Sequence, residues 1–417
     1  MINTRTVSRA THATRRVRRG SVLLAACIAA TLSAPARPQT MPTSEDVARA
    51  LDAFSPYASL GIAYDSNIYR LDDDAPEIGD SLADQYVTLA VGFDSSLQKR
   101  EQRFDFNGEL NHTLFSEHDE LDYTGSKLNA VWRWFASEGT TGDLGFRHRR
   151  ALRDFANQST LERVDDIRME NALFANGDFA LARNLRAGAR VDLADISYSE
   201  TKRLDLQRTT VGANIGYVSS ASNWLGIDGE YILGRYDNNS RSDFDEYTVG
   251  PKVEWKFTGR TTAVATVGYT ARHYDDPTRT DYDGVTGRVD FKVDDDGRNG
   301  MDASVYRDLS NLDDEVSDYA IVTGIKVEPR FKVRESFMLR FVAGYEQRDF
   351  DRDPSLDPTI VAADRTDDVV LAGAFVDWDV HRNVRLTFGA DLQQRDSTRE
   401  LQDYKFGRVQ LKVTGHF

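Results

Sequence analysis

The stretch Arg408-Val409-Gln410-Leu411-Lys412-Val413-Thr414-Gly415-His416-Phe417 keeps an unbroken period of two. Val409, Leu411, Val413, Gly415 and Phe417 fall on one side, while Arg408, Gln410, Lys412 and Thr414 fall on the other. Side chains of an extended strand alternate between its faces, so the segment predicts a strand with one apolar and one polar face. A helix would scatter both sets around its axis.

The same alternation runs back to Pro56. Apolar rows recur at Val87, Leu89, Val91 and Phe93; at Leu128, Ala130, Trp132 and Trp134; at Val249, Val253, Trp255 and Phe257; and at Ala263, Ala265, Val267 and Tyr269. Two more run from Phe337 to Tyr345 and from Val384 to Leu392, and between Arg103 and Leu114 the residues Phe104, Phe106, Gly108 and Leu110 oppose Asp105, Asn107, Glu109 and Asn111. The connections are short and long in turn. Eight are tight, near Gln98-Lys99-Arg100, Glu138-Gly139, Arg183-Asn184, Ser222-Asn223, Gly259-Arg260, Gly297-Arg298, Arg334-Glu335 and Arg382-Asn383. Nine are longer and mostly acidic, from Asp72-Asp73-Asp74 and Glu117-His118-Asp119-Glu120 to Asp353-Pro354-Ser355 and Asp396-Ser397-Thr398. Seventeen connections join eighteen antiparallel strands, with sixteen to eighteen as the range, and an even count returns the chain to the side where it entered.

Composition separates the ways of burying those apolar faces. Only 40% of the 417 residues are hydrophobic, mean hydropathy is −0.52, and no apolar run of helix-spanning length follows the N-terminus, which excludes a helical membrane protein. A membrane barrel has this same average, because lipid-facing and lumen-facing residues alternate. The expected fold is therefore all-β, an antiparallel up-and-down transmembrane barrel over residues 56–417. Trp134, Phe135, Trp255, Phe257 and Trp378 gather beside the tight turns, where an interfacial girdle belongs. A soluble β-sandwich would not explain the regular short and long connections. The ending on Leu411, Val413 and Phe417 resembles the signal read by the barrel-assembly machinery of outer membranes, and these three residues are the expected assembly signal.

The first residues read as a secretory signal: Arg5, Arg9, Arg15, Arg16, Arg18 and Arg19, an apolar stretch from Val22 to Leu32, then Ala34-Pro35-Ala36, which predicts cleavage after Ala36. Leu24-Ala25-Ala26-Cys27 has the order of a lipoprotein site, but processing there would leave too short an apolar core. Residues 37–55 read as a short periplasmic lead-in, with helix-forming potential over Thr43–Leu51. Losing six arginines and no acids takes the formal charge from −15 to −21, which argues against a nucleic-acid partner, and Cys27 is the one cysteine.

Parity assigns the inward side chains. Arg147, Arg149, Arg186, Arg190, Arg340, Arg348, Arg385 and Arg395, with Glu109 and Asp391, are the candidate lumen-lining residues, and bases outnumber acids among all inward positions. Most of these groups are expected to pair across neighbouring strands. The functional alternative is a hydrated passage with a mildly positive wall that favours anionic or neutral polar solutes. No His-Glu-x-x-His or Gly-x-Ser-x-Gly occurs, no catalytic residue or metal site is nominated, and no cofactor is expected. The acidic loops read as solvated segments.

The chain from Pro56 to Phe417 resembles the outer-membrane barrel family encoded with exopolysaccharide biosynthesis genes, especially its exosortase-associated type. The resemblance rests on Tyr64-Asp65-Ser66-Asn67-Ile68-Tyr69-Arg70, Leu121-Asp122-Tyr123, Asp281-Tyr282-Asp283-Gly284, Tyr306-Arg307-Asp308, and Arg395-Asp396-Ser397-Thr398 followed by Asp403-Tyr404. It implies passive export of extracellular polysaccharide across the outer membrane, without enzymatic activity. Outer-membrane lipid and lipopolysaccharide, the barrel-assembly machinery, the polysaccharide, and a periplasmic export or chain-length-control protein are the implied partners. Two alternatives stay open: a general or solute-selective porin, and a non-transport adhesin or receptor barrel.

Overall fold

The computed structural model describes residues 54–72, 74, 81–158, 165–295, 297–310, 317–352 and 365–417. The expected signal peptide and nearly all of the lead-in lie outside these residues. The first nine strands are β1 (Phe54–Asp65), β2 (Asp84–Lys99), β3 (Gln102–Phe115), β4 (Tyr123–Ser137), β5 (Thr140–Leu152), β6 (Ile167–Ala182), β7 (Leu185–Tyr198), β8 (Leu206–Val218) and β9 (Trp224–Tyr236). The second nine are β10 (Phe244–Lys256), β11 (Thr261–Tyr274), β12 (Tyr282–Asp295), β13 (Asn299–Ser310), β14 (Ser317–Arg334), β15 (Phe337–Arg352), β16 (Arg365–His381), β17 (Val384–Ser397) and β18 (Tyr404–His416).

Every strand pairs with its sequence neighbours, and β1 pairs antiparallel with β18, so the sheet closes into an eighteen-stranded up-and-down barrel with no free edge. The closing register sets Tyr57 opposite His416, and the Phe417 amide donates to the Pro56 carbonyl at 3.0 Å. The strand count is the one expected, eighteen among the described residues, with Asp353-Pro354-Ser355 of the expected loops lying outside them. β1 begins two residues before Pro56.

The face assignment follows from exposure. Leu60 and Ile62, Leu89 and Val91, Val249 and Trp255, Phe388 and Leu392, and Val409 and Leu411 are all exposed although large and apolar, and they share the outer face by alternation. A closed barrel with an apolar outer face fits a bilayer, where no unpaired backbone edge is tolerated. Trp132, Trp255, Phe257, Phe331 and Trp378 sit outside near the tight turns, while Tyr64, Tyr231, Tyr247, Tyr269 and Tyr345 form a second outer row toward the loops. On β10, Trp255 and Tyr247 stand about 27 Å apart along the strand, which a tilt of about 40° reduces to roughly 20 Å of bilayer. Tyr269 and Tyr345 each donate their hydroxyl to an outward aspartate, Asp283 at 3.1 Å and Asp368 at 2.6 Å, which marks the polar boundary at that end. Phe135, expected in the girdle, has the opposite parity to Trp134 and faces inward.

Four loops share one construction. The strand-end amides of Phe115, Tyr198, Tyr236 and Tyr274 each donate to the carboxylate seven residues on, at Asp122, Asp205, Asp243 and Asp281, over 2.7 to 2.9 Å. Three of these loops turn through a short 3-10 segment, Asp119–Leu121, Lys202–Leu204 and Ser240–Ser242. The aspartate satisfies an amide that the ladder leaves orphaned and fixes where the next strand starts. Leu121-Asp122-Tyr123 and Asp281-Tyr282, two motifs behind the family resemblance, belong to this closure.

Candidate functional site

The interior is wet. The side chains of Lys127 and Arg147, inward on β4 and β5, keep 60% and 51% of their surface inside a closed barrel, and Arg340 and Arg385 on the far wall keep 44% and 52%. Such exposure requires water in the lumen, because a dry interior could not hold so many charges.

The two walls differ in how their charges are matched. On the β12–β18 wall the inward arginines have carboxylate partners: Arg288 with Asp308, Arg330 with Asp302, Arg340 with Asp377, Arg348 with Glu346, Arg385 with Asp379, and Arg408 with Asp391, over 2.6 to 3.0 Å. Each pair is partly solvated and contributes no more than about 1 kcal/mol, so they hold side chains in place rather than hold the barrel together. Arg190 on β7 reaches past the neighbouring strand to Asp228 and Glu230 on β9, at 2.8 and 2.9 Å. Gly212 makes that reach possible, since a Cβ there would lie 2.5 Å from the Arg190 guanidinium. Arg147 pairs with Asp192.

Glu109 is held differently. Tyr57 crosses Gly92, where a Cβ would stand 2.4 Å from its ring, and donates its hydroxyl to Glu109 at 3.0 Å. Lys127 stands 3.7 Å from the same carboxylate. The arrangement repeats on the other wall, where Tyr306 crosses Gly324 to donate to Glu346 at 2.5 Å. Of the expected lumen residues, then, Arg147, Arg190, Arg340, Arg348, Arg385, Glu109 and Asp391 point inward with partners, whereas Arg149 and Arg186 point inward with none.

Arg395 is a separate case. It points inward from β17 but retains only 1% of its surface, because loops fold over it. Its Nη1 donates to the Ala156 carbonyl at 2.6 Å and its Nε to the Gln402 carbonyl at 2.6 Å, while the guanidinium lies 4.4 Å above the Tyr404 ring. β5, which leads into Ala156, is six strand steps from β17, or about 29 Å of wall. The β5–β6 connection therefore crosses the mouth to reach it.

That crossing belongs to a folded cap. Ile68, Tyr69 and Leu71 from the β1–β2 loop, Leu121 from the β3–β4 loop and Phe155 from the β5–β6 loop form one buried apolar cluster, with Leu71 and Leu121 each 1% exposed. Ala156 packs with Tyr404 and Phe406. Arg70 lies 3.6 Å over the Phe406 ring and pairs with Asp65 at 2.8 Å. Tyr69 donates its hydroxyl to Glu120 at 2.6 Å, and His118 stands 3.0 Å from the same hydroxyl while its Nε2 lies 2.9 Å from the Ser81 carbonyl. Burial raises the Glu120 carboxyl, but the bond from Tyr69 and the neighbouring His118 outweigh it and hold the group below its usual value. Burial and Glu120 together push the Tyr69 phenol up. The acidic side chains of these loops stay solvated, as expected, at Asp74, Glu117, Asp119 and Glu120, while scattered apolar residues of three loops find one another beneath them. Phe417, of the expected assembly signal, projects its ring outward with 79% exposed, and Leu411 and Val413 share that face. Among the described residues no group of histidines and carboxylates is placed to hold a metal ion.

Residues 228–417, a little under half of the chain, match the family described as "Putative beta-barrel porin 2". No curated protein matches the sequence. Among solved structures, the outer membrane protein OpdK of Pseudomonas aeruginosa is similar with a TM-score of 0.46 at 9% identity, covering 88% of this chain and 100% of that one. OccAB3 of Acinetobacter baumannii gives 0.47 at 9% identity over 88% and 100% of the two chains. OccK2 (OpdF) of Pseudomonas aeruginosa gives 0.48 at 8% identity over 88% and 98%. Likeness at this level assigns no solute.

Proposed function

We propose that this chain is an outer-membrane porin, a passive water-filled passage for small hydrophilic solutes. The observation that carries the reading is the lumen of half-exposed charged side chains inside a closed barrel with an apolar exterior. The porin description of the family matched by the C-terminal residues supports it. Export behind residues 1–36, insertion by the barrel-assembly machinery through Leu411, Val413 and Phe417, and contact of the outer Tyr and Asp row with lipopolysaccharide belong to the same reading.

The implied export of polysaccharide draws no support from that family, and the cap speaks against it. A polymer threading through that sector would have to displace the bond between Arg395 and Ala156 and the apolar cluster around Leu71. The purified barrel is expected to give stepwise ion conductance in planar bilayers. A correctly folded barrel with no conductance would overturn the proposal, and loss of surface polysaccharide in a deletion strain would return the exporter to consideration.

A further inference from the structure

We infer that the lumen wall between β3 and β8 holds a binding subsite for small oxyanions, centred on Arg149 and Arg208. The inference deepens the porin reading and rests on it. A recess of about 550 Å³ opens there on the lumen, and its polar lining includes Glu109, Lys127, Arg147, Arg149, Glu170 and Arg208. Glu109, Lys127, Arg149 and Glu170 lie in one cross-strand row on β3, β4, β5 and β6. Arg147 and Arg208 lie in the adjoining row, separated by Ala172 and Ala194.

The recess has four cations and two acids, and those acids are engaged. Glu109 accepts from Tyr57 and faces Lys127, and Glu170 is paired with Arg168 at 2.8 Å. Arg147 is paired with Asp192 from the next row. Arg149 and Arg208 are left without a carboxylate, and Lys127 contributes only a loose contact, so the recess carries surplus positive charge, whereas the arginines Arg288, Arg330, Arg340, Arg348, Arg385 and Arg408 of the facing wall are each matched by a carboxylate. Asn107 and Asn129 line the same recess, Asn107 donating its side-chain amide to Asp94 at 2.6 Å and Asn129 standing 3.5 Å from the side-chain carbonyl oxygen of Asn107. Two guanidinium forks with nearby amides suit a planar or tetrahedral oxyanion, a carboxylate or a phosphate, better than they suit chloride. Water keeps the site weak enough for release, as a conduction pathway requires.

The test uses the full barrel in planar bilayers with potassium chloride, adding citrate or inorganic phosphate as the probe. The wild-type channel is expected to prefer anions and to be blocked by both probes. In the double variant Arg149→Gln/Arg208→Gln the half-blocking concentration should rise about fivefold, as expected for losing about 1 kcal/mol of a solvated charge-assisted contact, and the reversal potential in a salt gradient should move toward cation preference. Arg149→Lys/Arg208→Lys should restore the reversal potential but not the full block, because the charge returns without the fork. An effect on both probes supports an oxyanion site; an effect on citrate alone supports it with a carboxylate as the group recognised. Arg340→Gln/Asp377→Asn, a neutral exchange on the facing wall, should change neither readout. Conductance with block and selectivity unaltered in the Arg149/Arg208 variant would overturn the subsite and leave the channel standing, while absence of conductance in the wild type would overturn the channel itself.

Discussion

At the loop end of the barrel, the hairpins β7–β8, β9–β10 and β11–β12 each close on themselves through one aspartate accepting an amide seven residues back. In the sector running from β17 through β1 to β6, the loops close on one another, with residues 68 to 71, 121, 155, 156 and 402 to 406 sharing two apolar clusters and the Arg395 guanidinium. The β3–β4 loop does both, since Asp122 closes it locally while Leu121 enters the shared cluster. Local closure fixes where each of these hairpins ends, and adjacent loops touch through polar contacts such as Asn238 donating to the Lys202 carbonyl at 2.9 Å and Arg241 pairing with Asp276. Shared closure makes the loops one cooperative unit, which can narrow the mouth and can also open as a unit. Substitutions that act on one kind of closure should leave the other untouched.

The largest effect is expected from Phe155→Ala. The ring is buried among Ile68, Tyr69, Leu71 and Leu121, and truncating such a side chain removes about 3 to 4 kcal/mol, more than a loop held by a few hydrogen bonds can spare. The cap should detach, raising single-channel conductance and exposing the β5–β6 connection to protease, while the barrel itself stays folded. Unchanged conductance would mean that the cap does not narrow the passage.

Arg395→Ala should come next, at about 2 to 3 kcal/mol, since it strips charge-assisted bonds from the Ala156 and Gln402 carbonyls in a buried setting. The same gain in conductance should appear in smaller measure, and combining it with Phe155→Ala should add little, because both act on one unit. Asp243→Ala is the counterpart in a self-closed hairpin. It should cost about 1 kcal/mol, seen as faster hydrogen exchange at the Tyr236 amide, with conductance as in the wild type. A conductance change there would merge the two kinds of loop into one.

The strands were legible because their cause is local: alternation of residue type and turn residues at regular intervals place Val409 to Phe417 and each of the seventeen strands before it. Which inward arginine meets which acid was not, because Arg190 passes over Gly212 to a strand two steps away, and the spacing along the chain carries no trace of that reach. Parity alone put Arg395 in the lumen, and it does point inward; its covering comes from Ala156, 239 positions earlier. Ile68, Leu71, Leu121 and Phe155 stand singly among acidic and polar loop residues, so their average character is that of solvated loops. An isolated large apolar residue recurring in the loops of one sector was the available sign that those loops meet.

The smallest expected effect is acid sensitivity, and its sign differs between the two kinds of closure. In the cap, Glu120 is held below its ordinary value of 4.5, so its contribution is complete above about pH 4.5 and is lost as pH falls through the lowered folded value. His118, Asp84 and Asp165 surround the same tyrosine, but the bond at stake is the one from Tyr69 to ionised Glu120. In the β9–β10 hairpin, burial raises Asp243 above its ordinary value of 3.8 against the Tyr236 amide and Arg235, with Asp275 and Asp237 adding to the rise. Its folded form takes up a proton more readily than the unfolded chain, so acid favours that hairpin and the contribution is lost as pH rises through the raised value. Lowering the pH from 7 to 4 should therefore reduce the protection factors of the Leu71 and Leu121 amides, taken against intrinsic exchange at each pH, while the Tyr236 amide stays protected. Glu120→Gln should abolish the cap's response while keeping a hydrogen-bond acceptor for Tyr69. Equal loss of protection in both regions, or an unaltered response in Glu120→Gln, would show that the acid sensitivity of the mouth is set elsewhere.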